Sequence, residues 1–394
     1  MSELRRLGAL RAILIAAVLV LVGAGTAIGL LAHSDHKRPQ RRNVVGLTGL
    51  HAPAPPRASI PPATGGSRKN RQVSLERLIG QRIMVGFAGT STPASVLESV
   101  RTGRIGGVIL FAANIQSDQQ VKSLTSQLQA AARQGGNPPL LISVDQEGGS
   151  IRRFATAPPD MAPPQIASSS NPAVAYKEGV KTGRHLASLG VNVDLAPVVD
   201  VVTSPQSFIG RQGRSFGSDP KVVGAFAEQF VKGLKSAGVL ATAKHFPGVG
   251  SAAVDTDNKL QRIDPPAKDR DAALRPYRRL ARTVDAVMMA TGIFPAYDAS
   301  SPAALSRPIN RLLRQNVGFE GMTITDALES PTGLSPIQAG VAAARAGTDV
   351  LLYTDEARGE FEALRDATRS GSLSRGNLET SYERILAAKR ALHG

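Results

Sequence analysis

Residues 238–248, GVLATAKHFPG, contain the clearest indication of the fold. The stretch opens with an unbroken run of apolar and small residues, and it then places Lys244 and His245 next to each other before a Pro-Gly turn. A run of this kind, without polar alternation, is typical of a parallel β-strand that is buried on both faces. Cationic side chains at the end of such a strand indicate a functional site at the carboxyl edge of a parallel sheet.

Seven other stretches after residue 75 have the same character, and amphipathic stretches such as 121–134 and 219–238 lie between them. Eight strand–helix units predict an α/β fold, a (β/α)8 TIM-type barrel over residues 75–394. A doubly wound open sheet is the alternative, but residues 86–95, GFAGTSTPAS, lack the glycine fingerprint that usually follows its first strand. The predicted strands are 82–89, 105–114, 140–149, 191–201, 238–248, 286–296, 321–330 and 346–355.

The first 74 residues have a different composition. Residues 12–32 are uncharged and apolar, and as a helix they would be about 30 Å long, which is enough to cross a bilayer. Arginines in residues 1–11 predict a short cytoplasmic segment, a single-pass transmembrane signal anchor in the cell membrane and an extracytoplasmic body. A cleavable signal peptide is the alternative and would make the body secreted. Residues 33–74, rich in Pro, Ala and Arg, predict a disordered linker.

Composition excludes several classes of site. The chain has no cysteine, so disulfides, thiol nucleophiles and thiolate metal sites are excluded. Apart from His393, only His185 and His245 lie in the predicted barrel, and we therefore expect no metal site and no cofactor. Much of the net charge of +16 lies in the first 75 residues, where it fits a basic tail near anionic lipid or wall polymer. We expect no nucleic-acid partner, because the basic residues flank an apolar span and are not interleaved with aromatic residues. We also expect a monomer.

Charged residues collect at the ends of the predicted strands. A single strand-end aspartate is often only the N-cap of the next helix, and an arginine beyond it can simply pair with a loop acid. Here several strands bring such groups to one rim, which indicates an active site. The candidates are Asp145, Glu147 and Arg153 after the third strand, Asp200 and Arg214 after the fourth, Lys244, His245, Asp255 and Asp257 after the fifth, and Asp326 after the seventh.

These residue types favour a carbohydrate substrate. Carboxylates together with Arg, Lys and His donors bind the hydroxyl groups of an uncharged, polyhydroxylated molecule by hydrogen bonds. Two carboxylates on either side of a scissile bond are the arrangement used by glycosidases. The chain has no tryptophan and only 4% aromatic residues, which argues against a long groove with stacking platforms and favours a small, exo-acting pocket.

Six motifs in this region resemble the barrel domain of glycoside hydrolase family 3. Their order and spacing are similar to those of the single-domain bacterial β-N-acetylglucosaminidases and β-N-acetylhexosaminidases, from about residue 75 to the C-terminus. The resemblance implies hydrolysis of terminal β-linked N-acetylhexosamine from peptidoglycan-derived or other glycoconjugates. The motifs are GGVILFAANI (106–115), VDQEGGSIRRF (144–154), LAPVVDV (195–201), GRSFGSD (213–219), KHFPGVG (244–250) and GMTITDAL (321–328).

The resemblance also implies roles for individual residues. It places Asp326 at the position of the catalytic nucleophile, which would form the glycosyl-enzyme intermediate of a retaining mechanism. We expect nearby Arg and Lys side chains to lower the pKa of Asp326, so that the nucleophile stays ionised. The positions that bind the sugar would be Asp145, Arg153, Arg214, Lys244 and His245.

The sequence departs from this family in the loop after KHFPGVG. The family's Asp-x-His dyad, whose histidine is the general acid/base, corresponds to Asp255-Thr256-Asp257 here, and Val249 and Thr291 also replace common histidines. One interpretation makes Asp257 a carboxyl acid/base that shares a proton with Asp255. The other interpretation is a catalytically impaired barrel that binds a sugar or the cell wall.

A glycoside phosphorylase is a third interpretation. The phosphate would need a cation near the loop, and Lys259 is the nearby candidate.

Overall fold

The computed structural model describes residues 73–355 and 359–392. The predicted transmembrane segment, 12–32, and almost all of the predicted linker lie outside these residues. In the described ranges, no helix combines the length and the apolar character needed to cross a bilayer. The strands are β1 (Ile83–Val85), β2 (Gly107–Leu110), β3 (Leu141–Val144), β4 (Gln146–Gly148), β5 (Ile151–Arg152), β6 (Val193–Asp194), β7 (Leu240–Phe246), β8 (Ala286–Met289), β9 (Ile293–Phe294), β10 (Asp298–Pro302), β11 (Met322–Thr325) and β12 (Leu351–Tyr353).

Eight of these strands form a nearly closed parallel barrel, which confirms the predicted fold. Their order is β11-β8-β7-β6-β3-β2-β1-β12, and every pair is parallel. A parallel bridge between Ile324 and Val350 joins the two ends of this order. Each of the eight predicted apolar stretches contains one barrel strand. The two antiparallel pairs, β4 with β5 and β9 with β10, lie outside the barrel sheet.

Burial on both faces explains the continuous apolar runs. Side chains such as Met84, Ile109 and Leu240 belong to a buried cluster inside the barrel, whereas their neighbours Val85 and Val108 belong to the larger core between strands and helices. Burying one such side chain stabilises the fold by about 1.5–3 kcal/mol. The few polar side chains in these strands are buried as well, and the hydroxyl groups of Thr323 and Thr325, for example, are hydrogen-bonded within the fold.

Helices follow most of the barrel strands, and many begin at a polar cap. The side chains of Ser117 and Asp219, for example, accept hydrogen bonds from backbone N–H groups in the first turns of the helices that begin at Asp118 and Pro220. The α-helices are α1 (Leu75–Gly80), α2 (Ala94–Arg101), α3 (Asp118–Gln134), α4 (Pro163–Ser168), α5 (Pro172–Ser188), α6 (Phe208–Gln212), α7 (Pro220–Ser236), α8 (Ala267–Leu280), α9 (Arg307–Arg311), α10 (Pro336–Ala346), α11 (Glu360–Arg369) and α12 (Arg375–Arg390).

All eight barrel strands are shorter than the predicted stretches, and two of these differences shape the carboxyl edge of the barrel. The regular part of the fourth strand, β6, has only two residues, and Pro197, which has no N–H to donate, follows it. The third stretch turns out of the barrel after β3 and continues as the β4–β5 hairpin. Gly148 and Gly149 make this turn with φ of 98° and 59°, a region that favours glycine.

Candidate active site

A cleft of about 180 Å³ lies at the carboxyl ends of the barrel strands. Its floor is the top of the apolar barrel interior, including Ile109, Leu195 and Met288. Nine of the ten predicted site residues line this one cleft, namely Asp145, Glu147, Arg153, Arg214, Lys244, His245, Asp255, Asp257 and Asp326.

One wall is built around Lys244 at the end of β7. Its ammonium group lies 2.7 Å from Asp145 Oδ1 and 2.6 Å from Glu147 Oε1, and the side chain is 2% exposed. Burial by itself lowers the pKa of this lysine, but the two carboxylates outweigh it and the net shift is upward. Lys244 is therefore a fixed cation that is already paired on this wall.

Two arginines complete the same wall. Arg214 holds Glu147 with two hydrogen bonds of 2.7 and 2.8 Å, and Arg153 lies 3.1 Å from Asp145 and 5.7 Å from the centre of the Phe111 ring. Burial would raise the pKa of both acids, yet the surrounding cations lower the pKa of Asp145 and of Glu147. Both acids are therefore carboxylates, which accept hydrogen bonds and do not donate them.

His245 is oriented by a buried carboxylate. Asp200 Oδ2 is 2.8 Å from His245 Nδ1, and Asp200 Oδ1 accepts a 2.7 Å bond from the backbone N–H of Val249. Burial lowers the pKa of His245, but Asp200 outweighs this effect and the net shift is upward. Because Nδ1 is bound to Asp200, Nε2 is the ring nitrogen that remains for the cleft, where it lies 3.5 Å from Arg214.

Asp326, directly after β11, differs from the expectation. Burial, and then the charge of Asp257, raises the pKa of Asp326 to about 7, whereas His245 and Lys244 lower it only in part. We expected neighbouring cations to depress this pKa. Burial and the charge of Asp257 outweigh the lowering by His245 and Lys244, so the net shift is upward.

The loop after β7 carries the second carboxylate. Asp255 Oδ1 accepts a 3.1 Å hydrogen bond from the backbone N–H of Asp257, so Asp255 shapes the turn. The Asp257 side chain accepts a 2.9 Å bond from the hydroxyl of Ser330. This arrangement differs from the expected pair in which Asp255 and Asp257 share a proton through their side chains.

The model of the glycosyl hydrolase family 3 N-terminal domain matches residues 74–388, most of the chain. The protein belongs to glycosyl hydrolase family 3. It is a glycoside hydrolase, and the predicted family is confirmed.

Several family members are similar over most of this chain. A β-hexosaminidase of Stenotrophomonas maltophilia strain K279a is 35% identical over 336 residues, which are 79% of this chain and 96% of the relative. An uncharacterized secreted glycosyl hydrolase of Arthroderma benhamiae is 34% identical over 336 residues, 81% of this chain and 94% of the relative. The solved structure of a family 3 β-N-acetylglucosaminidase from Paenibacillus sp. is 33% identical with a TM-score of 0.77, and the match covers 82% of this chain and 63% of that one.

The structure gives roles to three residues that the sequence left without one. Glu147 joins Lys244 and Arg214; its position two residues after Asp145 was a usable signal, because alternate residues of a strand share a face. Asp200 orients His245. Ser330 contacts Asp257, which lies 73 residues earlier in the sequence, and no local sequence pattern predicts such a contact.

Several other residues that the sequence brings into question do not line the cleft. Val249 and Thr291 are buried, at 0% and 1% exposure, and neither they nor the exposed Lys259 is among the residues that line the cleft. Residues 213–217, GRSFG, match the serine-hydrolase pattern G-x-S-x-G. The Ser215 hydroxyl, however, is buried and donates to the Asp200 carbonyl, so it does not face the cleft as a nucleophile.

Proposed function

We propose that this glycoside hydrolase is a retaining, exo-acting β-N-acetylhexosaminidase that releases terminal N-acetylglucosamine. The observation that carries the proposal is that Asp326 and Asp257 line one small cleft, and that the charge of Asp257 raises the pKa of Asp326. No salt bridge joins either carboxylate to a cation in the part of the chain that the structure describes. Such a pair can hold one proton, so that one member is an acid while the other is a nucleophile.

In the first step, Asp326 attacks the anomeric carbon. The glycosidic bond breaks, its electron pair goes to the leaving oxygen, and Asp257 gives that oxygen its proton. The product is a glycosyl ester on Asp326, and Asp257 is left as a carboxylate.

In the second step, Asp257 takes a proton from water. The water oxygen bonds to the anomeric carbon, the ester bond breaks, and Asp326 is released as a carboxylate. Two displacements give retention of configuration.

The opposite wall would hold the sugar. Asp145 accepts hydrogen bonds from sugar hydroxyls, while Lys244, Arg153, Arg214 and His245 Nε2 supply donors near the same hydroxyls. A volume of about 180 Å³ suits one sugar ring, which supports exo-action on a chain end.

A cell-wall-derived glycoconjugate, such as a peptidoglycan fragment, is the substrate source that we propose, and the place of action is outside the cytoplasm. The apolar residues 12–32 support export. The Arthroderma relative is named as secreted, which points in the same direction.

An impaired barrel that only binds sugar is the second candidate, since Asp257 stands where the family has its acid/base histidine.

One assay separates the two functions. The full chain is given 4-nitrophenyl N-acetyl-β-glucosaminide and 4-nitrophenyl β-glucoside, and the anomer first released is followed by proton NMR. The proposal expects turnover of the first substrate, little of the second, and initial release of the β-anomer. Binding of N-acetylglucosamine without turnover would instead establish the binding protein, and release of the α-anomer would exclude a retaining mechanism.

A further inference from the structure

The contact between Ser330 and Asp257 joins the two catalytic segments of the barrel. Ser330 lies four residues after Asp326, and its side chain is almost completely buried, at 5% exposure. Its hydroxyl donates to Asp257 Oδ1 at 2.9 Å. Asp257 belongs to the loop after β7, whereas Ser330 belongs to the loop after β11, so this hydrogen bond connects elements on either side of β8.

The position of Ser330 relative to Asp326 is well determined. The backbone N–H of Ser330 bonds to the Ala327 carbonyl at 3.1 Å, and the N–H of Leu328 bonds to the Leu352 carbonyl at 3.0 Å. The N–H of Ala327 in turn donates to Asp326 Oδ1 at 2.9 Å. The turn that starts at Asp326 therefore carries Ser330 as part of the barrel edge.

Asp257 has much weaker support of its own. Its side chain is exposed, and it lies in a connection without regular secondary structure. The bond from its N–H to Asp255 Oδ1 fixes the backbone, but it does not fix the rotation of the carboxyl group. An exposed side chain without a partner samples several rotamers, and ordering it has an entropic cost.

We propose that Ser330 is a positioning residue that holds Asp257 in register with Asp326. Its hydroxyl occupies Oδ1 as a donor, which leaves Oδ2 as the oxygen that carries the catalytic proton. The same donor stays in place after Asp257 has given up this proton, and it stabilises the resulting carboxylate. This inference rests on the proposed function, in which Asp257 is the acid/base.

The test measures kcat and KM of the full chain for two substrates, a β-1,4-linked N-acetylglucosamine disaccharide and 4-nitrophenyl N-acetyl-β-glucosaminide. The nitrophenyl group leaves with little protonation, whereas the disaccharide needs the acid. For Ser330→Ala we expect kcat/KM, which reports the first step, to fall about tenfold further on the disaccharide than on the nitrophenyl substrate, since one hydrogen bond to a charged group is at stake. Ser330→Thr keeps the hydroxyl, so the ratio of its rates on the two substrates should stay close to that of the wild type. Ser330→Cys should resemble the alanine variant. Thr332→Val is the matched control. It removes a hydroxyl from the same loop, but this hydroxyl is bonded to Leu334 and not to Asp257.

The Asp257→Ala variant separates this inference from the proposed function. If Asp257→Ala slows the disaccharide selectively but Ser330→Ala does not, the positioning role is overturned while the acid/base stands. If Asp257→Ala is not selective either, the acid/base assignment itself has failed. An equal loss on both substrates for Ser330→Ala would reduce Ser330 to a structural role. In the double variant we expect no loss beyond that of Asp257→Ala, because both changes act through one group.

Discussion

Asp326 is the residue where catalysis and stability conflict. Its carboxyl group is largely withdrawn from water beside a second carboxylate, and its pKa is therefore raised to about 7. The folded protein must hold this group ionised above pH 7, whereas in the unfolded chain the same group ionises near pH 4. Because the raised folded-state pKa favours proton uptake in the folded state, the contribution of Asp326 to stability declines as pH rises from about 4 to 7.

We predict that Asp326→Asn raises the thermal midpoint at pH 8 and leaves it nearly unchanged at pH 4. Asparagine avoids the cost of the buried charge, which we place at about 1–3 kcal/mol. The pKa of Asp326 in the folded protein lies about three units above its value in the unfolded chain, a difference that corresponds to about 4 kcal/mol. The partial exposure of Asp326 reduces this figure. Calorimetry at both pH values measures the effect, with Asp264→Asn, on an exposed loop, as the control. A lower thermal midpoint of Asp326→Asn at pH 8 would contradict the conclusion that the ionised carboxylate of Asp326 destabilises the fold.

The influence of Asp257 on Asp326 predicts a pH effect on activity. The 4-nitrophenyl substrate requires an ionised Asp326 but little acid assistance, so the acid limb of kcat/KM should lie near pH 7. Asp257→Asn removes the negative charge that contributes to the raised pKa of Asp326. The limb should then move to lower pH, and it should stay above pH 4 because burial, the larger cause, remains.

A pH–rate profile of the Asp257→Asn variant on the nitrophenyl substrate checks this shift. Asp264→Asn removes one negative charge outside the cleft and should leave the limb in place. An acid limb that stays fixed or moves upward in Asp257→Asn would show that the two carboxylates do not interact.

Among the elements, α12 closes the end of the barrel opposite the cleft. Ile385 and Ala388 join the apolar cluster inside the barrel. Lys389 enters the same region, where it donates to Gln81 Oε1 at 2.5 Å and to the Gly106 carbonyl at 3.0 Å. Burial lowers the pKa of Lys389 to about 7, so this helix carries an amine that is costly to protonate in place.

We predict that the free energy of unfolding rises between pH 7 and pH 10, and that Lys389→Met removes part of this rise. In that range the unfolded chain keeps a proton on Lys389 that the folded chain releases, so higher pH favours the folded state. The contribution should be about 1–3 kcal/mol, below the ~5 kcal/mol implied by the full pKa shift, because both hydrogen bonds favour the charged form. Urea titrations at pH 7 and pH 10 measure it, with the exposed Lys122→Met as control. An identical rise in Lys389→Met and wild type would refute the prediction.

At the scale of the molecule, apolar runs were sufficient to predict eight strands and the barrel, because burial on both faces leaves a plain signature. The strand-end charges located the cleft for a similar reason, since parallel strands end on one rim. The sequence did not show which charged residues form salt bridges with one another at this edge of the barrel. Lys244 and Arg214 pair with Asp145 and Glu147. Burial and the charge of Asp257 raise the pKa of Asp326 by more than the nearby cations lower it, so the expected shift had the wrong sign. The contact of Ser330 with Asp257 depends on how two loops meet in space.

At the scale of the whole chain, we propose that residues 12–32 anchor the protein and hold the barrel outside the cytoplasmic membrane. In cells that produce the full chain, we expect protease added outside to release a barrel fragment that begins within residues 33–74. A cytoplasmic marker protein reports whether the membrane stayed intact. Complete protection of the barrel while an exported control protein is digested would contradict the predicted location.

Trapping of the covalent intermediate tests the central claim most directly. A fluorinated N-acetylglucosaminyl substrate with an activated leaving group slows the second step more than the first, so the glycosyl-enzyme should accumulate. Peptide mass spectrometry should then find one fluorinated N-acetylhexosaminyl unit on Asp326, and none in Asp326→Asn. A label on another carboxylate, or continued hydrolysis of the substrate with no label on the protein, would contradict the assignment of Asp326 as the nucleophile of a retaining β-N-acetylhexosaminidase.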